Sequence, residues 1–265
     1  MAIRYVLMND SNKYESDIDV TNGVMHYMVT GDGPALLFLH GALGTGYSHF
    51  RHQIEALSHD YKVIVPDFLG YGESGKRDIY DEHFYRRDAD DIASLMVKLQ
   101  LTKVNICGFS DGGIVGMNVA VHYGQLINSL VLIGAQPVWD EKTIETIRTW
   151  GNVEQLSQGF QDALAKSHGD PYWKDLIKLY VQAAERVFAN QELIAPDMSN
   201  IDCPTLVVHG DQDIWGGIES AYIVNDAIAG SKLKIFIGAG HYVQRDAPDE
   251  FNRSVMEFLD SVCHS

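Results

Sequence analysis

The 265-residue chain is short of positive charge, of cysteine and of long apolar runs. Lys and Arg number 20 against 36 Asp and Glu, a net charge of −16 with His neutral. Nucleic acids and anionic membranes are held through basic footprints, so neither is expected as a partner. The acidic balance favours cationic small molecules only weakly. Three cysteines, Cys107, Cys203 and Cys263, are odd in number and show no CxxC spacing, which argues against a disulfide framework and a structural zinc site. They read as reduced packing residues. No apolar stretch approaches the ~20 residues that span a bilayer, and after Arg4 the polar Asn9 and Asp10 arrive before a leader-like apolar segment develops. The expectation is a cytoplasmic protein. Internal repeats, low-complexity tracts and flexible linkers are also missing, and the length suits one large α/β domain or two smaller ones.

What the chain does contain is an alternation of strand and helix patterns. Ile18–Val20 and Val24–Val29 flank Thr21, Asn22 and Gly23, a hairpin pattern. Ala35–Leu39 and Lys62–Val65 are continuous apolar runs, as in strands buried on both faces. A helix is predicted from about Tyr47 to Leu57, and another from His83 to Leu99. Further strands are predicted up to Gly108, over Leu130–Ile133, over Thr205–Val208 and over Leu233–Ile237. A last helix follows start signals at Asp246 and Pro248 and carries Phe251, Val255, Phe258, Leu259 and Val262 on one face. This rhythm predicts an α/β fold: a mostly parallel sheet covered by helices on both faces. Residues 136–197 interrupt it with three helical patterns and no strand, so 1–135 and 198–265 read as the core and 136–197 as an inserted helical cap. Of the cap's aromatics, Trp139, Trp150, Phe160, Tyr172 and Trp173 are candidates to line an apolar pocket.

Gly108-Phe109-Ser110-Asp111-Gly112 stands between a β-branched run and a helix. A strand that turns this sharply into a helix strains its turn residue, and only small neighbours avoid a clash. Ser110 then stands proud of the sheet, beside helix N–H groups that suit a developing oxyanion. Gly112, Gly116 and Ala120 recur every fourth residue and would let that helix lie close on the sheet. Gly70, Gly72 and Gly75 spell GxGxxG after a strand, but no apolar periodicity follows until about Phe84, which excludes a dinucleotide fingerprint. That loop is expected to wrap the rim of the site.

A serine hydroxyl needs a base, and the base an orienting acid. One remaining strand end supplies Gly210, Asp211, Gln212 and Asp213, and the other Gly238, Ala239, Gly240 and His241. The order Ser, Asp, His is that of α/β-hydrolases. Of the other histidines, His40 reads as structural and His209 lies within its strand. His26, His49, His52, His59, His83, His122, His168 and His264 fall in helices, turns or edge strands without matching context.

On His40 to Ala42, Asp67 to Ser74, Gly108 to Gly113, Gly210 to Asp213 and Gly240-His241, the chain resembles the α/β-hydrolase superfamily. More narrowly it is similar to the valacyclovir hydrolase (biphenyl hydrolase-like) branch, through Arg87 to Asp91, Gly108 to Ile114 and Glu250 to Asn252. The resemblance implies that the acid is Asp213, which the sequence alone does not separate from Asp211. It implies an oxyanion hole from the N–H of Asp111 and one of Ala42 or Leu43, and it implies that Asp111 recognises the α-amino group of amino-acid esters. It departs at Leu69, where many relatives carry arginine, and in the cap.

Asp111 carries its own electrostatic argument. At an effective dielectric near 20, its charge about 6 Å from the oxyanion opposes it by roughly 3 kcal/mol. A helix N-terminus offsets about 0.3–1 kcal/mol of that. A substrate ammonium would offset more. The expectation is a serine hydrolase of small carboxylic esters, favouring α-amino-acid esters: Ser110 attacks, His241 transfers the proton, Asp213 orients it, Ala42 and Asp111 hold the oxyanion, and Asp111 and Leu43 contact substrate. No cofactor and no metal is implied, the partner is a small-molecule ester, and the sequence specifies no oligomeric state. Hydrolysis of a lactone, an amide or a carbon–carbon bond on the same fold, and a ligand sensor retaining the triad, are the alternatives.

Overall fold

The apolar runs form the interior strands of an eight-stranded sheet in a computed structural model that describes residues 13–77, 80–191 and 194–263. Expectations drawn from Arg4, Asn9, Asp10, His264 and the Cys263 side chain lie outside the described residues. Strands β1 (Tyr14–Asp19) and β2 (Val24–Thr30) form the hairpin, closed by Val20 N–H donating to Gly23 O at 2.8 Å. Strands β3 (Ala35–Leu39), β4 (Lys62–Pro66), β5 (Val104–Phe109), β6 (Ile127–Ile133), β7 (Thr205–Gly210) and β8 (Lys232–Phe236) complete the order β1-β2-β4-β3-β5-β6-β7-β8. β1 and β2 pair antiparallel, β2 pairs antiparallel with β4, and every other pairing is parallel.

Alternation along the strands divides their residues between two helical layers. Leu37, Leu39, Ile106, Leu130 and Leu132 pack with helices α2 (Phe84–Lys98) and α3 (Asp111–Tyr123). Leu36, Phe38, Cys107, Val131 and Ile133 face α1 (Gly46–Leu57) and the last helix, α9 (Pro248–Cys263). Leu36, Leu37, Phe38 and Leu39 are fully buried, each such side chain contributing about 1.5–3 kcal/mol against exposure. Helix α1 starts where Ser48 N–H donates to Thr45 Oγ1 and Thr45 N–H to Ser48 Oγ, a reciprocal cap.

Helices α4 (Glu141–Trp150), α5 (Gln158–His168) and α6 (Tyr172–Ala189) occupy the chain between β6 and β7. The structure adds two helices that the sequence pattern does not reveal. In α7 (Gly217–Ala227) Tyr222 and Ile223 are exposed while Ser220, Ala221 and Val224 are buried, so its apolar residues do not trace a buried stripe. The other, α8 (Val243–Asp246), is a single turn. β6 begins three residues before the expected Leu130, and β8 ends at Phe236, leaving Ile237 exposed on the following turn. Among the described residues no helix is long and apolar enough to cross a membrane.

Candidate active site

The carboxyl ends of β5, β7 and β8 and the loop after β3 converge on one cavity that α4, α5 and α6 also line. At the β5–α3 turn Ser110 has φ 53° and ψ −120°, a strained conformation for a residue with a side chain. The turn is pinned by Ser110 N–H donating to Ile133 O at 2.8 Å and Gly113 N–H donating to Ser110 O at 2.8 Å. A Cβ on Gly108 would stand 2.3 Å from Gly112 O, and one on Gly112 2.1 Å from Leu39 O, so the helix packs onto the strand ends backbone to backbone. Gly116, one turn on, faces Leu130 and Ile106 of the sheet.

The two loops bearing Asp213 and His241 are sewn together before their side chains meet. Asp211 N–H donates to Phe236 O at 3.1 Å and Gln212 N–H to Ala239 O at 2.9 Å. A side chain on Gly210 would collide with the carbonyls of Ala239 and Gly240. Across this seam His241 Nδ1 lies 2.8 Å from Asp213 Oδ2, while Trp215 N–H donates to Asp213 Oδ1 at 2.9 Å. Asp211 instead accepts from Gly238 N–H at 2.6 Å and holds the turn. Geometry thus separates the two aspartates. His209 Nε2 stands 3.1 Å from Asp213 Oδ2 without the alignment of a hydrogen bond. Burial alone would raise the Asp213 carboxyl. The imidazoles of His209 and His241 and the Trp215 N–H outweigh it and hold the group well below the ordinary carboxylate range.

The loop after β3 is held by three histidines. His40, fully buried, accepts from Phe68 N–H at its Nε2 (3.0 Å) and bonds Gly41 O through Nδ1 (2.8 Å), and burial lowers its pKa to about 3. It is structural. His49 Nδ1 accepts from Gly41 N–H at 3.1 Å, which leaves the proton of the neutral ring on Nε2. His168, at the end of α5, accepts from Gly72 N–H at Nδ1 (2.9 Å), so its Nε2 donates to Leu43 O (3.1 Å). Leu43 has φ 56°, left-handed for a residue with a side chain, and the His168 bond fixes its carbonyl. Among the described residues neither Ala42 N–H nor Asp111 N–H donates to another protein group. Both residues border a cavity of about 450 Å³ that Ser110 and His241 also line.

Asp111 enters this cavity flanked by two tyrosines. Tyr85 of α2 donates to its Oδ1 at 2.9 Å and Tyr180 of α6 to its Oδ2 at 3.0 Å. Burial outweighs these two bonds and the His241 field, raising the carboxyl from 3.8 to about 6. No Lys or Arg pairs with it among the described residues. The same burial, and the carboxylate beside them, push both tyrosine hydroxyls well above their usual 10. The rest of the cavity is largely apolar, with Trp139, Trp150 and Phe160 on its wall.

Several expectations need correction. Tyr172 and Trp173 do not line the cavity: Trp173 is buried in the cap's own packing and Tyr172 accepts from Arg77 N–H. The loop after β4, expected on the rim, does not line the cavity: Asp67 anchors it by accepting from Gly46 and Glu73 N–H while Phe68 N–H is taken by His40. Leu69, the departure noted above, is buried, and its carbonyl accepts from Arg77 Nε at 3.0 Å, with Arg77 in turn paired to Asp88. His49, His168 and His209, set aside on sequence context, all reach the site or its supports. Their spacing offered no cue, since each acts on a group brought near by packing. The paired tyrosines also went unforeseen, being ordinary apolar-face residues of their helices.

Comparison with known proteins follows the same lines. A family model described as alpha/beta hydrolase fold matches residues 34–199. The mouse protein named serine hydrolase BPHL is 31% identical over 249 residues, 90% of this chain and 84% of that protein. The 2-hydroxy-6-oxo-6-phenylhexa-2,4-dienoate hydrolase of Comamonas testosteroni is 24% identical across 92% of this chain and 94% of its own. Among solved structures, the meta-cleavage product hydrolase CumD of Pseudomonas fluorescens superposes with a TM-score of 0.77 at 24% identity, over 93% of this chain and 97% of that one. The family model takes in more than half of the residues and the BPHL likeness runs along nine-tenths of them: the chain belongs to the α/β-hydrolase fold family.

Proposed function

We propose that this hydrolase cleaves small carboxylic esters through an acyl-enzyme on Ser110 and prefers esters of α-amino acids. Ser110 Oγ attacks the carbonyl while His241 Nε2 takes its proton. Asp213, bonded to His241 Nδ1, fixes the ring and stabilises the imidazolium. Negative charge builds on the former carbonyl oxygen, to which Ala42 and Asp111 offer their N–H groups. His241 then gives the proton to the departing alcohol, and water attacks the acyl-enzyme by the same route in reverse.

The observation that carries the substrate preference is the Asp111 carboxylate, set beside Ser110 with two hydroxyl donors and no Lys or Arg paired to it among the described residues. Two hydrogen bonds orient a charge but do not neutralise it, and burial makes the remaining charge costly. An ammonium on the acyl carbon next to the scissile carbonyl supplies the missing countercharge. The likeness to a protein named serine hydrolase supports the ester reading.

The test is kcat/KM for an alanine ester against the propionyl ester of the same alcohol. A preference for the amine ester well beyond tenfold, more than ~1.4 kcal/mol, that disappears in Asp111→Asn upholds the reading. Equal turnover of both esters makes the protein a general esterase with Asp111 serving only the turn, and product formation that stops after one equivalent makes it a sensor.

A further inference from the structure

The cavity is lined by one more charged side chain. Arg245 lies on α8, one turn beyond His241, and lines the cavity. Its guanidinium sits over the ring of Tyr242, 5.0 Å from the centroid. Tyr242 is itself wedged between Phe109, at 4.9 Å, and His49, at 5.7 Å between ring centroids. Arg77, Arg86, Arg87, Arg148 and Arg186 each sit on a carboxylate. Arg245 has no ion pair or hydrogen bond to its guanidinium among the described residues. A chain of net charge −16 thus leaves a stacked, unpaired cation facing its reaction cavity.

The chemistry decides what this cation meets. His241 hands its proton to the leaving oxygen, so the alcohol portion of the ester must lie on the imidazole's side of Ser110. On the proposed reading Asp111, held by Tyr85 and Tyr180, takes the amine of the acyl portion. Tyr242, next to His241 in the chain, stands 5.6 Å from its ring, and Arg245, stacked on Tyr242, lines the same cavity. Resting on the ester-hydrolase reading above, we infer that Arg245 forms a leaving-group subsite for an anion: the favoured substrates are esters whose alcohol carries a carboxylate or another acidic group a few bonds from the ester oxygen. Combined with Asp111, the cavity is polarised along the scissile bond, cation-seeking on the acyl side and anion-seeking on the alcohol side. The field of Arg245 also reaches the cavity floor, where it adds to burial in keeping the His49 imidazole neutral.

Glycolate and glycolamide esters of alanine test this, because their alcohols differ in little but charge. Propionyl esters of the same two alcohols repeat the comparison without the amine. Wild type is expected to favour the glycolate over the glycolamide ester by about fivefold in kcat/KM at low salt, or ~1 kcal/mol, in the range of a partly exposed ion pair. The ratio should shrink as ionic strength rises and the Debye length falls below ~10 Å. Arg245→Gln should bring it to about one, and Arg245→Lys should keep part of it. The propionyl pair makes the two readings separable: a glycolate preference there upholds the Arg245 subsite even if the alanyl preference fails. Should neither ester turn over, calorimetric binding of alanylglycine and alanylglycinamide to Ser110→Ala gives the same comparison without chemistry. A ratio of one in wild type by either route, or a ratio that survives Arg245→Gln, overturns the subsite.

Discussion

If the proposed amine preference holds, Asp111 makes it a function of pH. Burial lifts its carboxyl to about 6, against 3.8 for a free side chain. Only the ionised form attracts an ammonium, so the ratio of amine-ester to propionyl-ester kcat/KM should fall as pH drops through 6. Any protonation requirement that the triad places equally on both esters cancels in the ratio. On the alkaline side an α-amino group loses its proton near ~8, and the ratio should fall again. A maximum is therefore expected between about pH 6 and ~8. Tyr180→Phe removes one donor from the charged carboxylate. A hydrogen bond to a charged group contributes about 1.5–3 kcal/mol, and 1.36 kcal/mol corresponds to one pH unit, so the acid limb should move up by roughly one to two units and the maximum shrink. The linkage to stability has the matching sign. A carboxyl raised in the folded state is best accommodated protonated, so ionising it costs stability as pH climbs from about 4 to 6. Asp111→Asn should thus melt above wild type at pH 7 and lose that advantage near pH 4. The assay is the ester ratio between pH 5 and 9 in wild type and Tyr180→Phe. A ratio flat from pH 5 to 7, or an acid limb unmoved by Tyr180→Phe, refutes the electrostatic account.

His168 of α5 ties down the loop after β3, the loop proposed to hold the oxyanion. Replacing it with alanine frees the Leu43 carbonyl and the Gly72 N–H, and should lower kcat by about tenfold with less effect on KM, as expected when one buried bond worth ~1.4 kcal/mol is lost from the support of a transition-state donor. Unchanged kcat would show that the loop keeps its form unaided. In Gly112→Ala the new methyl would stand 2.1 Å from Leu39 O and 2.6 Å from His40 O, so α3 must lift off the sheet. A cost of about 3 kcal/mol, typical of overpacking at its upper end, should lower Tm by roughly 6–12 °C for a chain of this size, and a Tm within 2 °C of wild type would contradict the close packing.

The sequence by itself determined the parts of this protein that depend on neighbours in the chain. Period-two and continuous apolar runs marked the strands, because a strand's environment is written along its own residues. Gly108, Ser110 and Gly112 announced the elbow, since that turn admits no Cβ at its flanks. Strand ends followed by Asp213 and by His241 could be read in order, and so could the helical interruption after β6. Helix α7 escaped because its burial rests on small residues that leave no periodic trace.

Everything that depended on two distant segments meeting was decided by tertiary structure. Asp213 and not Asp211 faces His241 because the Gly210 seam fixes the rotation of one loop against the other. Tyr85 and Tyr180, 26 and 69 residues from Asp111, converge on it only when α2 and α6 pack above the elbow. His168 finds Leu43 across 125 residues for the same reason, and Arg245 meets the cavity stacked on Tyr242, which itself packs on Phe109. Local spacing encodes backbone conformation and burial, but a side chain's partner across the fold is set by how layers stack, and that information is shared among residues that no single stretch contains.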